Sequence, residues 1–247
     1  MDLGLKGKVA LVTGTGSQTG FGKAICLTLA KEGCDIVSVS RGLEGAEQTA
    51  SEVRALGCKA TAIKTDVTKV VEVDDMVKAA LKEFGKIDIL VNNAGGGTPP
   101  GRFAETTEDK WDKDINLNLK SVLYCTRAVL PHMISRKTGK IVSISSSGGF
   151  SGAPFGIIYG ATKAAIISFT LGLSQEVVES GINVNCIAPG SSNTAFYDNF
   201  PLEFRERVKK MEVAGKTTKP KDVADAVAFL VSDVSIRMVG QCLKVYY

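Results

Sequence analysis

The architecture of this chain follows from the run Val9-Ala10-Leu11-Val12-Thr13-Gly14-Thr15-Gly16-Ser17-Gln18-Thr19-Gly20-Phe21-Gly22, which passes from a short apolar strand into a glycine-rich loop. The next residues, Lys23-Ala24-Ile25-Cys26-Leu27, predict a helix. Glycines let the backbone turn tightly and let a phosphate approach the free N–H groups at the start of a helix. A strand, a glycine loop and a helix in this order favour dinucleotide binding over the alternative, a tight turn without a ligand.

Beyond this run, β-rich apolar segments alternate with amphipathic segments. The predicted strands are Val9 to Thr13, Ile36 to Ser40, Ala60 to Lys64, Ile87 to Val91, Lys140 to Ser145, Asn183 to Ile187 and a last run near Gln241 to Val245. The predicted helices are Gly20 to Glu32, Glu44 to Leu56, Val73 to Phe84, Glu108 to Arg136, Ile158 to Glu179 and Lys221 to Val231. This alternation predicts an α/β fold, with a doubly wound, seven-stranded parallel sheet and helices on both faces.

No linker, repeat or low-complexity tract interrupts the series, so residues 1–247 are predicted to form a single dinucleotide-binding domain. The least regular segment runs from Ser191 to Lys219. Ligands of doubly wound sheets lie outside the carboxyl ends of the strands. We therefore predict that residues 191–219 form a substrate-covering lid; the alternative is a plain surface loop.

The composition argues against several classes of protein. The net charge of +4 comes from lysines and arginines scattered along the chain, which fits an anionic ligand better than a nucleic-acid-binding arm. The six cysteines lie in apolar stretches without C-x-x-C spacing, so we expect free thiols in a reducing compartment. The first residues lack a signal-peptide core, and no apolar run reaches the roughly 20 residues of a membrane span. These features predict a cytoplasmic protein that binds neither nucleic acid nor a membrane.

The chain has a single histidine, His132, in the later part of a predicted long helix. Most metal sites and hydrolytic triads depend on imidazole. We therefore expect no catalytic metal and no Ser-His chemistry, and we interpret His132 as a surface or packing residue.

The second predicted strand ends in Val39-Ser40-Arg41. In nicotinamide-binding folds, an acidic residue at this point usually binds the ribose 2′-hydroxyl, whereas a basic residue nearby accommodates the 2′-phosphate of NADP. Ser40 stands where an acid is expected, and Arg41 offers a planar fork to a phosphate. The sequence therefore predicts a preference for NADP. In the alternative, Arg41 is solvated and Glu44 binds the ribose of NAD.

A second motif, Tyr159-Gly160-Ala161-Thr162-Lys163, places a phenol and an ammonium group one helical turn apart, downstream of Ser145-Ser146-Ser147. Residues at i and i+4 share a helix face. The charge of Lys163 is therefore expected to lower the pKa of the Tyr159 hydroxyl from its ordinary value of about 10. The pair is a candidate acid/base; taken alone, it is equally the pattern of an exposed helix pair.

With these motifs taken together, the chain resembles the short-chain dehydrogenase/reductase family over nearly its whole length. The residues that carry the resemblance follow the family's order: Thr13-Gly14 with Gly20-Phe21-Gly22, Asp66-Val67, Asn92-Asn93-Ala94-Gly95, Asn118, Ser146, Tyr159 with Lys163, and Pro189-Gly190 followed by Thr194. Ser146 is taken from the serine run because it lies thirteen residues before Tyr159, as in the family. The resemblance implies a single Rossmann-like catalytic domain with the catalytic set Asn118, Ser146, Tyr159 and Lys163.

The resemblance also implies a role for each residue of this set. Ser146 and Tyr159 would hold a ketone oxygen, and Tyr159 would supply the proton while a hydride passes from the nicotinamide to the carbonyl carbon. Lys163 would bind the ribose hydroxyls. Asn118 would fix a water that relays protons to Lys163.

The cofactor residues implied by the resemblance are distributed along the chain. Gly14, Gly20, Phe21 and Gly22 would line the pyrophosphate, Asp66 and Val67 the adenine, Asn93, Ala94 and Gly95 the ribose, and Pro189, Gly190 and Thr194 the nicotinamide amide. Ser40 and Arg41 would meet the adenosine ribose, and Tyr159 and Lys163 the nicotinamide ribose.

Two departures from the family pattern limit this transfer. Five residues separate Gly14 from Gly20, where the family has three, so a bulge in the phosphate loop is expected. The sequence ends Leu243-Lys244-Val245-Tyr246-Tyr247 where many members carry Val-Asp-Gly-Gly. This second departure puts the usual C-terminal subunit contact in doubt.

The sequence predicts an NADP-preferring oxidoreductase that interconverts a ketone and a secondary alcohol. A 3-oxoacyl thioester of acyl carrier protein or coenzyme A is one substrate candidate, because four basic residues follow the start of the lid: Arg205, Arg207, Lys209 and Lys210. Their alternative is a solvated helix face. The second candidate is a free alicyclic or aliphatic alcohol, bound by aromatic residues that could equally be core or subunit contacts: Phe150, Phe155, Phe196, Tyr197 and Phe200.

A non-catalytic dinucleotide-binding sensor is the candidate from another class. Self-association into a homo-oligomer, a dimer or a homotetramer, is expected from the resemblance, through the helices Glu108 to Arg136 and Ile158 to Glu179.

Overall fold

The computed structural model describes residues 2–192, 200, 202–211 and 217–246. Within these residues, seven parallel strands form one sheet in the order β3-β2-β1-β4-β5-β6-β7. The strands are β1 (Val9–Thr13), β2 (Asp35–Ser40), β3 (Ala60–Lys64), β4 (Ile89–Asn92), β5 (Gly139–Ile144), β6 (Ile182–Pro189) and β7 (Cys242–Val245). The predicted doubly wound α/β fold is confirmed. The strand order reverses between β1 and β4, which is where ligands of such sheets bind.

Helices connect the strands. The α-helices are α1 (Phe21–Lys31), α2 (Leu43–Ala55), α3 (Val70–Phe84), α4 (Glu108–Ile115), α5 (Ser121–Arg136), α6 (Gly148–Ser151), α7 (Ile157–Val177), α8 (Leu202–Met211) and α9 (Pro220–Val231). A π-helical turn, Asn116–Lys120, joins α4 to α5, and short 3-10 turns lie at Phe103–Glu105, Val178–Ser180 and Asp233–Ser235.

Alternate residues of the strands pack against opposite layers of helices. On β1, Ala10 and Val12 belong to a core shared with α1 and α9. Val9 and Leu11 belong to the core on the other face, which α3, α5 and α7 cover. Side chains of a strand point alternately to its two faces, and a strand buried on both faces is apolar throughout. This is why the central strands read as continuous apolar runs.

One predicted helix, Glu108 to Arg136, is divided in the structure by the π turn Asn116–Lys120. Periodicity did not reveal the division, because the segment remains helical throughout. A π turn takes one residue more than an α turn and is often found at functional sites. Here it contains Asn118, which is fully buried.

The predicted lid, residues 191–219, is described only in part. Its described residues include helix α8 and the segment 217–219. Thr218 N donates to Ser191 O at 2.8 Å, and Thr218 Oγ1 donates to Val245 O at 2.9 Å. The two ends of the segment are therefore fastened to each other and to β7. The assignment of this segment as a lid stays a prediction.

The segment Ile157–Ser180, which contains α7, is the one described stretch long and apolar enough to meet the criteria for a membrane span. The same stretch contains Lys163, which is 4% exposed, and α7 packs against β6. Core helices of globular domains often have this composition.

Candidate active site

A cleft of about 510 Å³ opens at the carboxyl ends of β1, β4, β5 and β6. Residues from the glycine loop, the end of β2, the segment after β4, α4 and α7 share its wall. The described lining is Gly14, Ser17, Gly20, Phe21, Arg41, Asn93, Ala94, Gly95, Gly96, Gly97, Thr98, Lys113, Asp114, Leu117, Ile144, Ser145, Ser146, Tyr159, Lys163, Pro189, Gly190 and Ser192. Most of the predicted site residues therefore lie around one cavity.

The glycine loop is packed too tightly to carry side chains at two of its positions. A Cβ on Gly22 would lie 2.4 Å from Gly14 O, and one on Gly14 would lie 2.8 Å from Ala94 Cα. Gly20 caps the start of α1 without a side-chain hydrogen bond. The first N–H groups of α1 are therefore left for a ligand at the cleft.

The glycine loop packs against α2 at Gly16 and Gln18. A Cβ on Gly45 would lie 2.2 Å from Gly16 O, so the loop packs directly on the first turn of α2. Gln18 Nε2 donates to Gly45 O at 3.2 Å and fixes this contact. Ser17 lines the cleft, a position that sequence reasoning did not assign. The longer loop therefore contacts α2 and brings the Ser17 hydroxyl to the cleft, while the bulge itself stays a prediction.

The segment after β4 is fastened to the end of β1. Thr13 Oγ1 accepts hydrogen bonds from Asn93 N at 3.1 Å and Ala94 N at 3.0 Å. The Asn93 side chain donates to Thr13 O at 2.8 Å and to Gly14 O at 3.1 Å. Asn93 thus holds the glycine loop in place, while Ala94 and Gly95 line the cleft.

At the adenosine end of the cleft, Arg41 is part of the lining and is exposed. Ser40 lies behind it and donates from Oγ to Gly42 O at 2.5 Å. Asp66 accepts hydrogen bonds from Thr68 N and Thr68 Oγ1. Burial opposes the ionisation of Asp66, but the Thr68 hydrogen bonds and the charge of Arg41 lower its pKa overall. Neither Ser40 nor Asp66 and Val67 belong to the cleft lining.

Two of the three consecutive serines, Ser145 and Ser146, line the cleft. Ser145 Oγ donates to Lys163 O at 2.7 Å, which fastens β5 to α7. Ser146 Oγ accepts from Gly148 N at 3.1 Å, so its own proton can point elsewhere. A hydrogen bond joins Ser146 to the Tyr159 hydroxyl. The structure therefore brings together the two hydroxyls that the sequence proposed as partners.

Lys163 is buried below Tyr159, with its Nζ 5.6 Å from the centre of the Tyr159 ring. Nζ donates to Ile144 O at 2.9 Å. Burial lowers the pKa of the Lys163 ammonium to about 8. The group can therefore exchange its proton near neutral pH.

The expectation that Lys163 lowers the pKa of Tyr159 is not met, because the pKa of the phenol is raised. Desolvation of the phenol raises its pKa, the Ser146 hydrogen bond lowers it in part, and the charge of Asp114 raises it further. The physical reason is that burial disfavours the anionic phenolate.

Asn118 lies behind the cleft wall rather than in it. Its Nδ2 donates to Gly96 O at 2.8 Å and Asp114 O at 2.9 Å, and its Oδ1 accepts from Gly96 N at 3.1 Å. The side chain thus joins the π turn to the segment after β4. The predicted water relay through this residue stays a proposal.

On the side of β6, Pro189 and Gly190 line the cleft. Gly190 N donates to Val245 O at 3.2 Å, which connects the end of β6 to the end of β7. Thr194, Phe196 and Tyr197 lie outside the described residues. Phe200 is buried, whereas Phe150 and Phe155 are exposed.

Sequence reasoning missed Asp114 and Thr98, which both line the cleft. Asp114 Oδ1 accepts from Thr98 N at 2.9 Å, and Oδ2 accepts from Thr98 Oγ1 at 3.1 Å. A signal was present, because an aspartate four residues before a proposed site asparagine shares its helical face.

A family model for short chain dehydrogenases matches residues 8–202. The chain belongs to the short-chain dehydrogenase family. It is an oxidoreductase acting on CH–OH and C=O groups.

Similar members of the short-chain dehydrogenase family cover nearly the whole chain. One is the (2S)-[(R)-hydroxy(phenyl)methyl]succinyl-CoA dehydrogenase subunit BbsD of Thauera aromatica, 37% identical over 98% of this chain and 96% of the relative. Another is the 3-oxoacyl-[acyl-carrier-protein] reductase of Thermotoga maritima, 35% identical over 98% of this chain and 97% of the relative. A solved 3-ketoacyl-(acyl-carrier-protein) reductase from Brucella melitensis, complexed with NADH, superposes with a TM-score of 0.91 at 34% identity, covering 98% of each chain.

Short-chain dehydrogenases bind NAD(P), and the site fits such a group. Close packing at Gly14 and Gly22 leaves room beside the uncapped start of α1, where a pyrophosphate can approach backbone N–H groups. The cleft continues from Arg41 at one end to Tyr159 at the other. A dinucleotide has an adenosine end and a reactive end, and the cleft offers suitable groups to each.

Proposed function

We propose that this enzyme interconverts a ketone and a secondary alcohol, with Tyr159 as the general acid/base and NADP as the preferred cofactor. The observation that carries the proposal is the hydrogen-bonded pair of Ser146 and Tyr159 in the cleft that also contains Arg41 and Lys163. Hydroxyl donors directed at one point can stabilise the negative charge that grows on a carbonyl oxygen, each contributing a few kcal/mol.

In the direction of reduction, Ser146 and Tyr159 orient the ketone oxygen by donating hydrogen bonds to it. A nicotinamide cofactor, when bound in the cleft, would supply the hydride for the carbonyl carbon. As the oxygen gains charge, the Tyr159 O–H bond breaks and its proton passes to that oxygen, giving the alcohol. Lys163, with a pKa of about 8, returns a proton towards Tyr159. In this proposal, Asn118 fixes a water through which Lys163 is reprotonated from solvent.

Arg41 supports the preference for NADP. Its side chain contributes to the cleft, and its guanidinium offers the planar donors that bind phosphate. Glu44, the residue that would bind the ribose of NAD, is exposed and is not part of the described lining. A neutral Ser40 beside Arg41 leaves no carboxylate at the carboxyl end of β2 to repel a 2′-phosphate.

Among substrates, we propose a 3-oxoacyl thioester of acyl carrier protein or coenzyme A. Two of the similar proteins are named for acyl-carrier-protein substrates and one for a coenzyme A substrate. Lys210 on α8 is exposed and can meet an anionic carrier. The side chains of Arg207 and Lys209 lie outside the described residues.

A free secondary alcohol or its ketone is the second candidate. A recess of about 20 Å³ adjoins the cleft at Thr98 and Asp114, and its lining includes Phe103, Trp111 and Ile157. A solved structure described as a putative short-chain alcohol dehydrogenase from Sinorhizobium meliloti also superposes, with a TM-score of 0.91 at 30% identity.

The test is an assay of the purified protein with NADPH or NADH against acetoacetyl-CoA, cyclohexanone and 2-butanone. We expect acetoacetyl-CoA to be reduced fastest, with NADPH preferred. Turnover of the free ketones alone would select the second candidate. The absence of turnover with tight NADPH binding would instead support a dinucleotide-binding sensor.

Tyr159→Phe is the decisive variant in that assay. Loss of a general acid typically costs about 10²- to 10⁴-fold in rate, and we expect NADPH affinity to be little changed. Tyr124→Phe is the matched control, because Tyr124 packs against the core on α5 and is not part of the cleft lining. Turnover of Tyr159→Phe within severalfold of the parent would exclude Tyr159 as the acid.

We also infer a homo-oligomer that uses α5 and α7, and a cytoplasmic location. Exposed apolar side chains on these two helices, Ile134 and Leu171, support self-association. All six cysteines are unpaired, which supports a reducing compartment. Light scattering of the purified protein distinguishes a monomer, a dimer and a tetramer.

A further inference from the structure

Two cysteines lie opposite each other on the last two strands of the sheet. Cys186 on β6 and Cys242 on β7 are partners in the register of this parallel pair, and Cys186 N donates to Gln241 O at 2.8 Å. Neighbouring strands lie about 4.7–4.9 Å apart, which is within the range of about 4.4–6.8 Å between the Cα atoms of disulfide-bonded cysteines. The backbone therefore places these two residues at a separation that a disulfide can span.

The two thiols also share one apolar environment. Cys186 is fully buried in a cluster with Val122 of α5 and Ile166 of α7, and Cys242 packs against that cluster. Cys242 is itself partly exposed, because β7 forms the edge of the sheet. A small molecule can therefore reach Cys242 from solvent, whereas Cys186 is shielded behind it.

Cys242 is the cysteine whose surroundings favour the thiolate. A hydrogen bond with Cys186 lowers the pKa of Cys242, and the charge of Lys244, two residues further along β7, lowers it as well, although partial burial opposes both. The pKa of each of the other thiols is raised, with burial among the causes: Cys26, Cys34, Cys58, Cys125 and Cys186. Because the thiolate is the form that attacks oxidants, we expect oxidation to begin at Cys242.

We propose that Cys242 and Cys186 form a reversible disulfide within the chain when the protein is exposed to hydrogen peroxide. The Cys242 sulfur attacks one oxygen of the peroxide, the O–O bond breaks, and Cys242 becomes a sulfenic acid. The other oxygen leaves as hydroxide, which takes up the Cys242 proton and gives water. The Cys186 sulfur then attacks the Cys242 sulfur, and the displaced hydroxide leaves with the Cys186 proton as a second water. The two thiols lose two electrons, and the peroxide is reduced.

The disulfide closes a covalent ring through residues 187–241, which contain the predicted lid and α9. Both strands continue from the cysteines to the cleft, because β6 ends at Pro189 and Val245 O on β7 accepts from Gly190 N at 3.2 Å. A dithiol opens the bond again by exchange, as is usual for transient disulfides in reducing compartments. The reaction needs neither a dinucleotide nor a ketone, so it does not depend on the proposed function.

The test is to treat the purified native protein with hydrogen peroxide, block the remaining thiols with iodoacetamide and digest with trypsin without reductant. Cys186 lies in the tryptic peptide 164–205 and Cys242 in the peptide 238–244, and each peptide contains one cysteine. We expect mass spectrometry to show these two peptides cross-linked, with loss of their alkylated forms, and dithiothreitol to restore both thiols. Cys58→Ser is the matched control, because Cys58 is also partly exposed and its removal should leave the cross-link unchanged.

Two variants separate the steps of the reaction. In Cys186→Ala, oxidation should stop at the sulfenic acid of Cys242, which dimedone then traps on the peptide 238–244. In Cys242→Ser, a change at the partly exposed position, Cys186 should stay reduced.

Two results would overturn the proposal. One is full alkylation of both peptides after a peroxide dose that oxidises free glutathione. The other is a disulfide that joins two chains, seen as a covalent dimer on a non-reducing gel, in place of the bond within one chain.

Discussion

Lys163 Nζ donates a hydrogen bond of 2.9 Å to the carbonyl oxygen of Ile144, so the buried cation is fixed to the end of β5. One strand therefore positions two groups of the candidate site, because Ser146 follows Ile144 by two residues. The hydrogen bond from Ser145 Oγ to Lys163 O fastens the same two elements a second time. Strand β5 and helix α7 are therefore held together, and this fixes the relative positions of the Ser146 and Tyr159 hydroxyls.

Replacing Lys163 with Met should abolish most turnover and change how stability depends on pH. In the folded protein the Lys163 pKa is lowered to about 8, whereas in the unfolded chain it is about 10.4. Between these values the unfolded chain binds more protons, so parent stability rises with pH. The stability of Lys163→Met relative to the parent should therefore be highest near about pH 7 and fall towards about pH 10. Thermal melts of both proteins across this pH range measure the difference in stability. A stability difference that does not change with pH would contradict the prediction.

Replacing Arg41 with Ala should weaken the use of NADPH and leave that of NADH nearly unchanged. A hydrogen bond to a charged group is worth about 1.5–3 kcal/mol, so we expect kcat/KM for NADPH to fall about 10- to 100-fold. Steady-state kinetics with both cofactors measure this. Glu44→Gln is the companion variant, and a selective loss of NADH use there, with Arg41→Ala silent, would favour the NAD alternative.

Replacing Gly45 with Ala should displace the glycine loop. The new Cβ would lie 2.2 Å from Gly16 O, closer than any carbon and oxygen can pack. We expect weaker dinucleotide binding and a loss of about 1–3 kcal/mol of stability, typical of overpacking. Gly42→Ala is the matched control, because a Cβ there meets nothing within 4 Å. Fluorescence titration with NADPH measures the affinity of both variants, and chemical unfolding measures their stability. Equal affinity and equal stability of Gly45→Ala and Gly42→Ala would contradict the prediction, because the loop would then move aside at no cost.

Replacing Asp88 with Asn should lower stability at neutral pH. The Asp88 carboxylate accepts from Val9 N at 2.9 Å and pairs with Lys86 at 2.9 Å and Arg136 at 2.8 Å. Burial opposes its ionisation, but these partners outweigh burial and lower its pKa. Since its partners are about one-third exposed, we expect a loss of about 1–3 kcal/mol.

This stabilisation by Asp88 should be complete well above about pH 4, the ordinary pKa of an aspartate, and disappear as the pH falls through the lowered folded value. Urea unfolding of parent and Asp88→Asn at neutral and acidic pH measures the difference. Asp75→Asn is the control, because Asp75 and its partner Lys78 are both exposed, and its loss should stay below about 1 kcal/mol.

The sheet could be predicted from the sequence because a buried parallel strand must be apolar on both faces. Val9 to Thr13 and Ala60 to Lys64 were predicted with the bounds that the structure has. Helix α8 was not predicted, because the whole segment 191–219 was interpreted as an irregular lid. The π turn at Asn116–Lys120 was missed because one extra residue hardly disturbs an amphipathic pattern.

The candidate site could be predicted where a motif fixes spacing along one element, as for Tyr159 and Lys163 on α7. It could not be predicted where contacts join distant segments. Asp114 meets Thr98 only because α4 returns over the segment after β4. The predicted direction of the Tyr159 pKa shift was wrong for the same reason. The burial and the Asp114 charge that raise this pKa come from other parts of the chain.

The π turn between α4 and α5 has a consequence for the length of this region. A π turn contains one residue more than an α turn, so deleting residue 116 or 117 would restore a regular helix and shorten the spacing between Asp114 and Asn118 from four residues to three. The hydrogen bonds between Asn118 and Gly96 and those between Asp114 and Thr98 could then not both be kept. Related sequences that preserve this chemistry should therefore tolerate substitutions between residues 108 and 136 far better than a change in their number.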